Sequence, residues 1–142
     1  AGQAIDLASV GLQLSEAQLR EMHRLKTGAL LHASVLMGAA CKEGVDAQAW
    51  QALSDYGQAL GVAFQVVDDI LDVVADSATL GKTAGKDAAN DKPTYVSLLG
   101  LDQARAHADE LCALAHAALA RSGLPDTRAL AALADMVVSR TH

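Results

Sequence analysis

The segment FQVVDDILDVVAD, residues 64–76, sets carboxylates into an otherwise apolar run. On a helix Gln65, Asp68, Asp69, Asp72 and Asp76 fall on one continuous face, because residues three and four apart are neighbours there. A solvated polar side of an amphipathic helix is the plain reading of such a stripe. Solvated stripes mix signs, however, since opposite charges one turn apart attract and like charges repel. Here no Lys, Arg or His occurs between Glu43 and Gly81, although Asp46, Asp55 and the whole stripe fall in that interval. Two carboxylates about 4 Å apart repel by about 4 kcal/mol at an effective dielectric near 20, so a cation is called for. Mg²⁺ fits, because it takes one or two carboxylates together with waters and phosphate oxygens; Mn²⁺ is the natural substitute. The residue pattern of an EF-hand loop is absent, which excludes that kind of Ca²⁺ site.

A phosphate-bearing ligand finds lysines just beyond the stripe. In SATLGKTAGKDAAND, residues 77–91, and on to Lys92, the lysines Lys82, Lys86 and Lys92 can reach phosphate oxygens as mobile point charges, or simply be solvated loop residues. The GKT at Gly81 to Thr83 is not a P-loop. That motif needs a glycine where this chain has Asp76, and a strand where this chain reads as helix. Lys26 and Thr27 interrupt an earlier apolar pattern in HRLKTGAL, where Gly28 and Ala29 leave room for close approach; a snorkelling lysine explains this equally well. His23 and His32 have no acidic or cysteine partner at ligand spacing, and no Ser-His-Asp or Cys-His arrangement can be assembled.

These groups need helices to hold them. Ser15 and Gln18 form a capping-box pair, and apolar residues recur from Leu19 to Leu36, which predicts one long helix ending at Gly44. Asp46 can cap a second helix of about 30 residues running to Asp76, bent near Gly57 or Gly61, where glycine weakens a helix interior by roughly 1 kcal/mol. Residues 77–91 read as a loop, and Pro93 opens a short helix ending at Gly100. Asp102 can cap a helix to Ser122, and GLPDT turns the chain into a last helix from about Thr127 to Arg140.

Composition agrees with this outline. The 142 residues are 51% hydrophobic but only 3% aromatic, with two prolines and much Ala and Leu, which favours an all-α fold in a single domain. A net charge of −6 and a pI near 5.1 argue against nucleic acid or an anionic membrane surface as partner. Cys41 and Cys112 show no metal-ligand spacing and read as reduced thiols of a cytoplasmic protein. No apolar run is long enough for a membrane span, and no signal-peptide pattern is present. AGQAIDLASVG opens without methionine and reads as the middle or end of a helix, as if cut from a longer chain.

GQAIDL, KTGALL, FQVVDDILD, LGKTAGKDAANDKPTY and LLG occur in the order and spacing of the trans-isoprenyl diphosphate synthase, or polyprenyl synthetase, family. The chain most resembles the bacterial short-chain branch that makes geranyl and farnesyl diphosphate. The resemblance covers essentially the whole chain, and its specific element is FQ-x-x-DD-x-x-D followed by the GK loop. It implies an isoprenoid synthase-type helical bundle and a Mg²⁺-dependent condensation of an allylic diphosphate with isopentenyl diphosphate. Asp68, Asp69 and Asp72 match the family's second aspartate-rich motif, which holds the metal on the allylic diphosphate. Lys26 and Lys82 match diphosphate-binding lysines; Thr27, Phe64 and Gln65 match positions lining that site, and Lys92 a position near the phosphates. Gln3 and Asp6 match a helix motif beside the reacting carbons.

The family carries two aspartate-rich motifs, and this chain has the second alone. The resemblance therefore implies that residues 1–142 are the C-terminal half of one synthase domain, with the first motif and the isopentenyl diphosphate residues in an absent N-terminal half. On that reading the chain by itself is inactive, and the complete protein is a homodimer. Rival readings are a non-catalytic subunit of a heteromeric synthase, a class I terpene cyclase and a plain helical module. The intact DDILD speaks against the first, and the aspartates together with the GK loop against the second.

Overall fold

The computed structural model describes Ser15, Gln18, Glu21, Met22 and residues 24–79 and 94–141, all in helices and turns without a strand among them. Gln3, Asp6, His23, Lys82, Lys86, Lys92 and Pro93 lie outside the described residues, as does the side chain of Asp76.

The capping box forms as read, with the Gln18 N–H donating to Ser15 Oγ at 3.3 Å and the Ser15 N–H to Gln18 Oε1 at 2.9 Å. The single long helix expected after it is interrupted. Residues Arg24–Gly28 form a π-helical turn, and helix α1 follows at Ala29–Ala40. Such wide turns are rare and concentrate at functional sites. This one carries Lys26 and Thr27.

Helix α2, Ala47–Thr79, begins where Asp46 was expected to cap it, with Asp46 Oδ1 accepting from the Ala49 N–H at 2.7 Å. It runs unbroken through Gly57 and Gly61 and extends past Asp76. Its glycines serve close approach. A Cβ on Gly61 would lie 2.6 Å from Gly28 Cα, and one on Gly57 would lie 3.1 Å from His32 Cα. Bare backbone at both points lets α2 pack directly on the π turn and on α1.

A Thr94–Ser97 capping box starts the short helix α3, Tyr95–Leu99, with Thr94 Oγ1 accepting from the Ser97 N–H at 3.0 Å. Helix α4 spans Leu101–Ala120 and is preceded by Gly100, not capped by Asp102 as expected. Gly100 adopts φ +81°, which lets α3 turn straight into α4 and leaves Asp102 in the first turn, where it complements the helix dipole. Helix α5 spans Arg128–Ser139, close to its predicted limits.

Helix α2 is the centre of the bundle, packing most extensively on α4 and also on α1, the π turn, α5 and α3. An alanine-rich face of α4, Ala104, Ala108, Ala115 and Ala118, brings the axes close enough to bury Tyr56, Val66, Val67 and Ile70 of α2 completely. Each of those aliphatic side chains contributes roughly 1.5–3 kcal/mol by leaving water. The last three flank the aspartates and set the rotation of α2. The Tyr56 hydroxyl donates to the Leu130 carbonyl at 2.8 Å in the first turn of α5, and burial pushes its pKa up to about 12.

Candidate active site

The aspartate face of α2 meets three other elements. On the π turn, the Thr27 hydroxyl donates to Gln65 Oε1 at 3.1 Å. Gln65 in turn hydrogen-bonds Asp69 one turn along α2, and Asp69 Oδ2 accepts the Tyr95 N–H at 3.0 Å at the start of α3. A continuous chain of polar contacts thus joins the π turn, α2 and α3 through the sequence-predicted residues Thr27, Gln65 and Asp69. Lys26 sits beside Thr27 in the same turn, half-buried.

The stripe is not uniformly solvated. Asp69 is only 7% exposed, whereas Asp68 is half-buried and Asp72 lies on the surface. Burial raises the Asp69 carboxyl to about 6 despite hydrogen bonds from Tyr95 and Gln65, and the charges of Asp72 and Asp68 push the same way. Asp68 is also raised, chiefly by burial and further by Asp72, against the opposing field of Arg140. A buried carboxylate beside like charges holds its proton to higher pH than a free one, and a bound cation relieves the same electrostatic cost.

Arg140, just beyond α5, is the cation that the sequence window concealed. Its Nη1 lies 3.6 Å from Asp68 Oδ1, and its guanidinium stands 5.6 Å from the centroid of the Phe64 ring. Arg121 likewise pairs with Asp55 on α2. The acids of 43–81 are therefore answered in part from other helices. No ion pair to Asp69 or Asp72 occurs among the described residues.

Asp68, Asp69 and Asp72 do not converge into a compact cage. Among the described residues, the one group of three potential ligand side chains with donor atoms within 4.8 Å of one another is Cys112, His116 and Asp135. The open aspartate face suits Mg²⁺, which keeps waters and shares phosphate oxygens, better than it suits a metal enclosed by protein. The residues present fit that ion: oxygen donors throughout, one of them held at fixed orientation. A cleft of about 410 Å³ beside the π turn, lined by Gly28, Asp55, Ala59, Val62, Leu114 and Arg121 among others, does not include Asp68, Asp69 or Asp72.

Sequence reasoning missed Arg140, Tyr95 as the partner of Asp69, and the Cys112 group. For the first two no local signal exists. For the third, Cys112 and His116 are one helical turn apart, a spacing that the reading of the cysteines overlooked.

The family model for polyprenyl synthetase matches residues 1–123. The chain is 46% identical over 142 residues to the farnesyl diphosphate synthase of Escherichia coli, covering 98% of this chain and 47% of that protein. Among solved structures, the geranyltransferase of Helicobacter pylori complexed with magnesium and isoprenyl diphosphate superposes with a TM-score of 0.73 at 33% identity, covering 97% of this chain and 45% of that one. A decaprenyl diphosphate synthase from Rhodobacter capsulatus gives a TM-score of 0.81 at 31% identity, covering 99% of this chain and 55% of that one.

The all-α bundle is thus the fold of isoprenyl diphosphate synthases. The chain belongs to the polyprenyl synthetase family. It spans about half the length of the relatives it matches. Among the described residues, no helix is long and apolar enough to cross a membrane.

Proposed function

We propose that this chain is the C-terminal half of a cytoplasmic, homodimeric prenyltransferase and supplies the allylic-diphosphate side of its site. The reaction condenses dimethylallyl or geranyl diphosphate with isopentenyl diphosphate, releases pyrophosphate and yields farnesyl diphosphate. The observation that carries this reading is the partly desolvated aspartate face of α2, where burial and neighbouring carboxylates make the charge of Asp69 costly and a cation would offset it, in a chain of this family.

Asp68, Asp69 and Asp72 would hold Mg²⁺, or Mn²⁺ in its place, which would supply neutralisation of diphosphate oxygens and of charge developing on the leaving group. Asp68 and Asp72 offer accessible carboxylates, and Asp69 is oriented by the Tyr95 N–H and Gln65. Thr27, by its bond to Gln65, fixes the turn that presents Lys26 to the phosphates. By their match to the family's motifs, Lys82 and Lys92 would add positive charge toward the phosphates, Phe64 would line the site, and Gln3 and Asp6 would serve beside the reacting carbons. As the allylic carbon becomes cationic, the isopentenyl double bond attacks it. A proton is then lost, with pyrophosphate as its acceptor.

The first aspartate-rich motif and the isopentenyl diphosphate residues lie in sequence outside these 142 residues, so the chain alone turns over no substrate. In the complete synthase, Asp68→Ala lowers turnover by about 100-fold or more and blunts the Mg²⁺ response. Near-normal kinetics with an unchanged Mg²⁺ dependence would remove the metal assignment.

A further inference from the structure

Away from the aspartate face, α4 and α5 bring together side chains of a different chemistry. Cys112 and His116 lie one turn apart on α4, and Asp135 of α5 faces both. The Asp135 Oδ1 atom is 2.6 Å from His116 Nε2 and 3.5 Å from Cys112 Sγ. We propose that Cys112, His116 and Asp135 bind a borderline-soft divalent cation of the Zn²⁺ class, which clips α5 onto α4.

The distances are near those that coordination requires. Zinc bonds of about 2.0 Å to nitrogen or oxygen and 2.3 Å to sulfur, in tetrahedral array, separate ligand atoms by roughly 3.3–3.5 Å. The sulfur and carboxylate already stand at that spacing, and the imidazole and carboxylate must open by about 0.7 Å, a side-chain rotation at exposed Asp135. Two ligands one helical turn apart with a third from a neighbouring element is a workable metal geometry. Thiolate and imidazole select Zn²⁺, Co²⁺ or Ni²⁺ over the Mg²⁺ assigned to the aspartates. Three protein ligands near the surface leave a fourth position for water.

An exposed His–carboxylate pair accounts for His116 and Asp135 but not for a thiol directed at the same carboxylate oxygen. Asp109, close enough to act electrostatically on Cys112, adds negative potential at the site. Coordination replaces the Cys112 thiol proton, which leaves to solvent. Because α5 leads into Arg140, a cation that secures α5 also secures the contact of Arg140 with Asp68 and Phe64.

Titration of the reduced, metal-free protein with Co²⁺ tests this, since thiolate-to-cobalt charge transfer and intense tetrahedral d–d bands report this site and an all-oxygen aspartate face gives neither. One cation per chain is expected to produce these bands and to be displaced by Zn²⁺. Cys112→Ser abolishes the charge-transfer band, His116→Gln and Asp135→Asn each weaken binding at least about tenfold, and Cys41→Ser leaves it intact. Cys112 and His116 are half-buried and Asp135 is exposed, so the changes are kept near-isosteric and far-UV circular dichroism checks the fold. Absence of the band in the parent protein, its survival in Cys112→Ser, its loss in Cys41→Ser, or parental affinity in His116→Gln and Asp135→Asn would each overturn the proposal.

Discussion

Replacing Gly61 by alanine tests how the π turn is held over the site. The new Cβ would stand 2.6 Å from Gly28 Cα, whereas carbon atoms pack best at about 3.5–4.0 Å, so turn and helix must separate by about 1 Å. Overpacking of this kind costs about 1–3 kcal/mol, and alanine in a helix interior returns about 0.5–1 kcal/mol, leaving a net loss of about 0–2.5 kcal/mol. The same 1 Å displacement stretches the Thr27–Gln65 bond of 3.1 Å beyond hydrogen-bonding range and shifts Lys26 with it. Misplacement on that scale can cost about 100-fold in rate. Urea unfolding of the chain reads the first effect, and the KM and turnover for the allylic diphosphate in the complete synthase read the second. Gly38→Ala in α1 is the internal control, because a Cβ there meets nothing within 4 Å and should stabilise by up to about 1 kcal/mol. If Gly61→Ala stabilises as much as Gly38→Ala and leaves the kinetics unchanged, the close contact does not exist and the positioning argument fails.

Two further measurements probe the core and the buried carboxylate. The Asp69 carboxyl, at about 6 in the folded metal-free protein and near 3.9 unfolded, makes the native state bind more protons between those values. Stability should therefore fall as pH rises from about 4 to about 6, by up to about 3 kcal/mol, and Asp69→Asn, which keeps an acceptor for the Tyr95 N–H, should remove that component from the urea midpoints. Identical pH profiles for the two proteins would refute the assignment. Tyr56→Phe removes one hydrogen bond to the Leu130 carbonyl, which keeps its place in the α5 ladder, and should destabilise by about 0.5–1.5 kcal/mol, whereas an unchanged midpoint would mean that this bond contributes nothing net.

Most helices were legible because their signals are local. The Ser15–Gln18 box, the Asp46 cap and the apolar period of α2 each involve residues within a turn or two, and all appear in the structure. Misreadings fell where a distant contact overrode the local rule. Glycines 57 and 61 suggested a bend because their partners, His32 and Gly28, lie far back in the chain. The π turn was invisible for the same reason: its residues read as ordinary helix, and its packing and hydrogen bonding against α2 are tertiary.

By itself, then, the sequence determined an all-helical chain with a one-sided aspartate face and the motif order of a prenyl synthase, all properties of spacing along one helix or of residue order. Only the tertiary structure decided which aspartate is buried against Tyr95, which is met by Arg140, and that Cys112 and His116 face Asp135. Helical periodicity states which residues share a face. What lies opposite that face depends on how the helices cross, and that is settled by the packing of α2 against its neighbours as a whole.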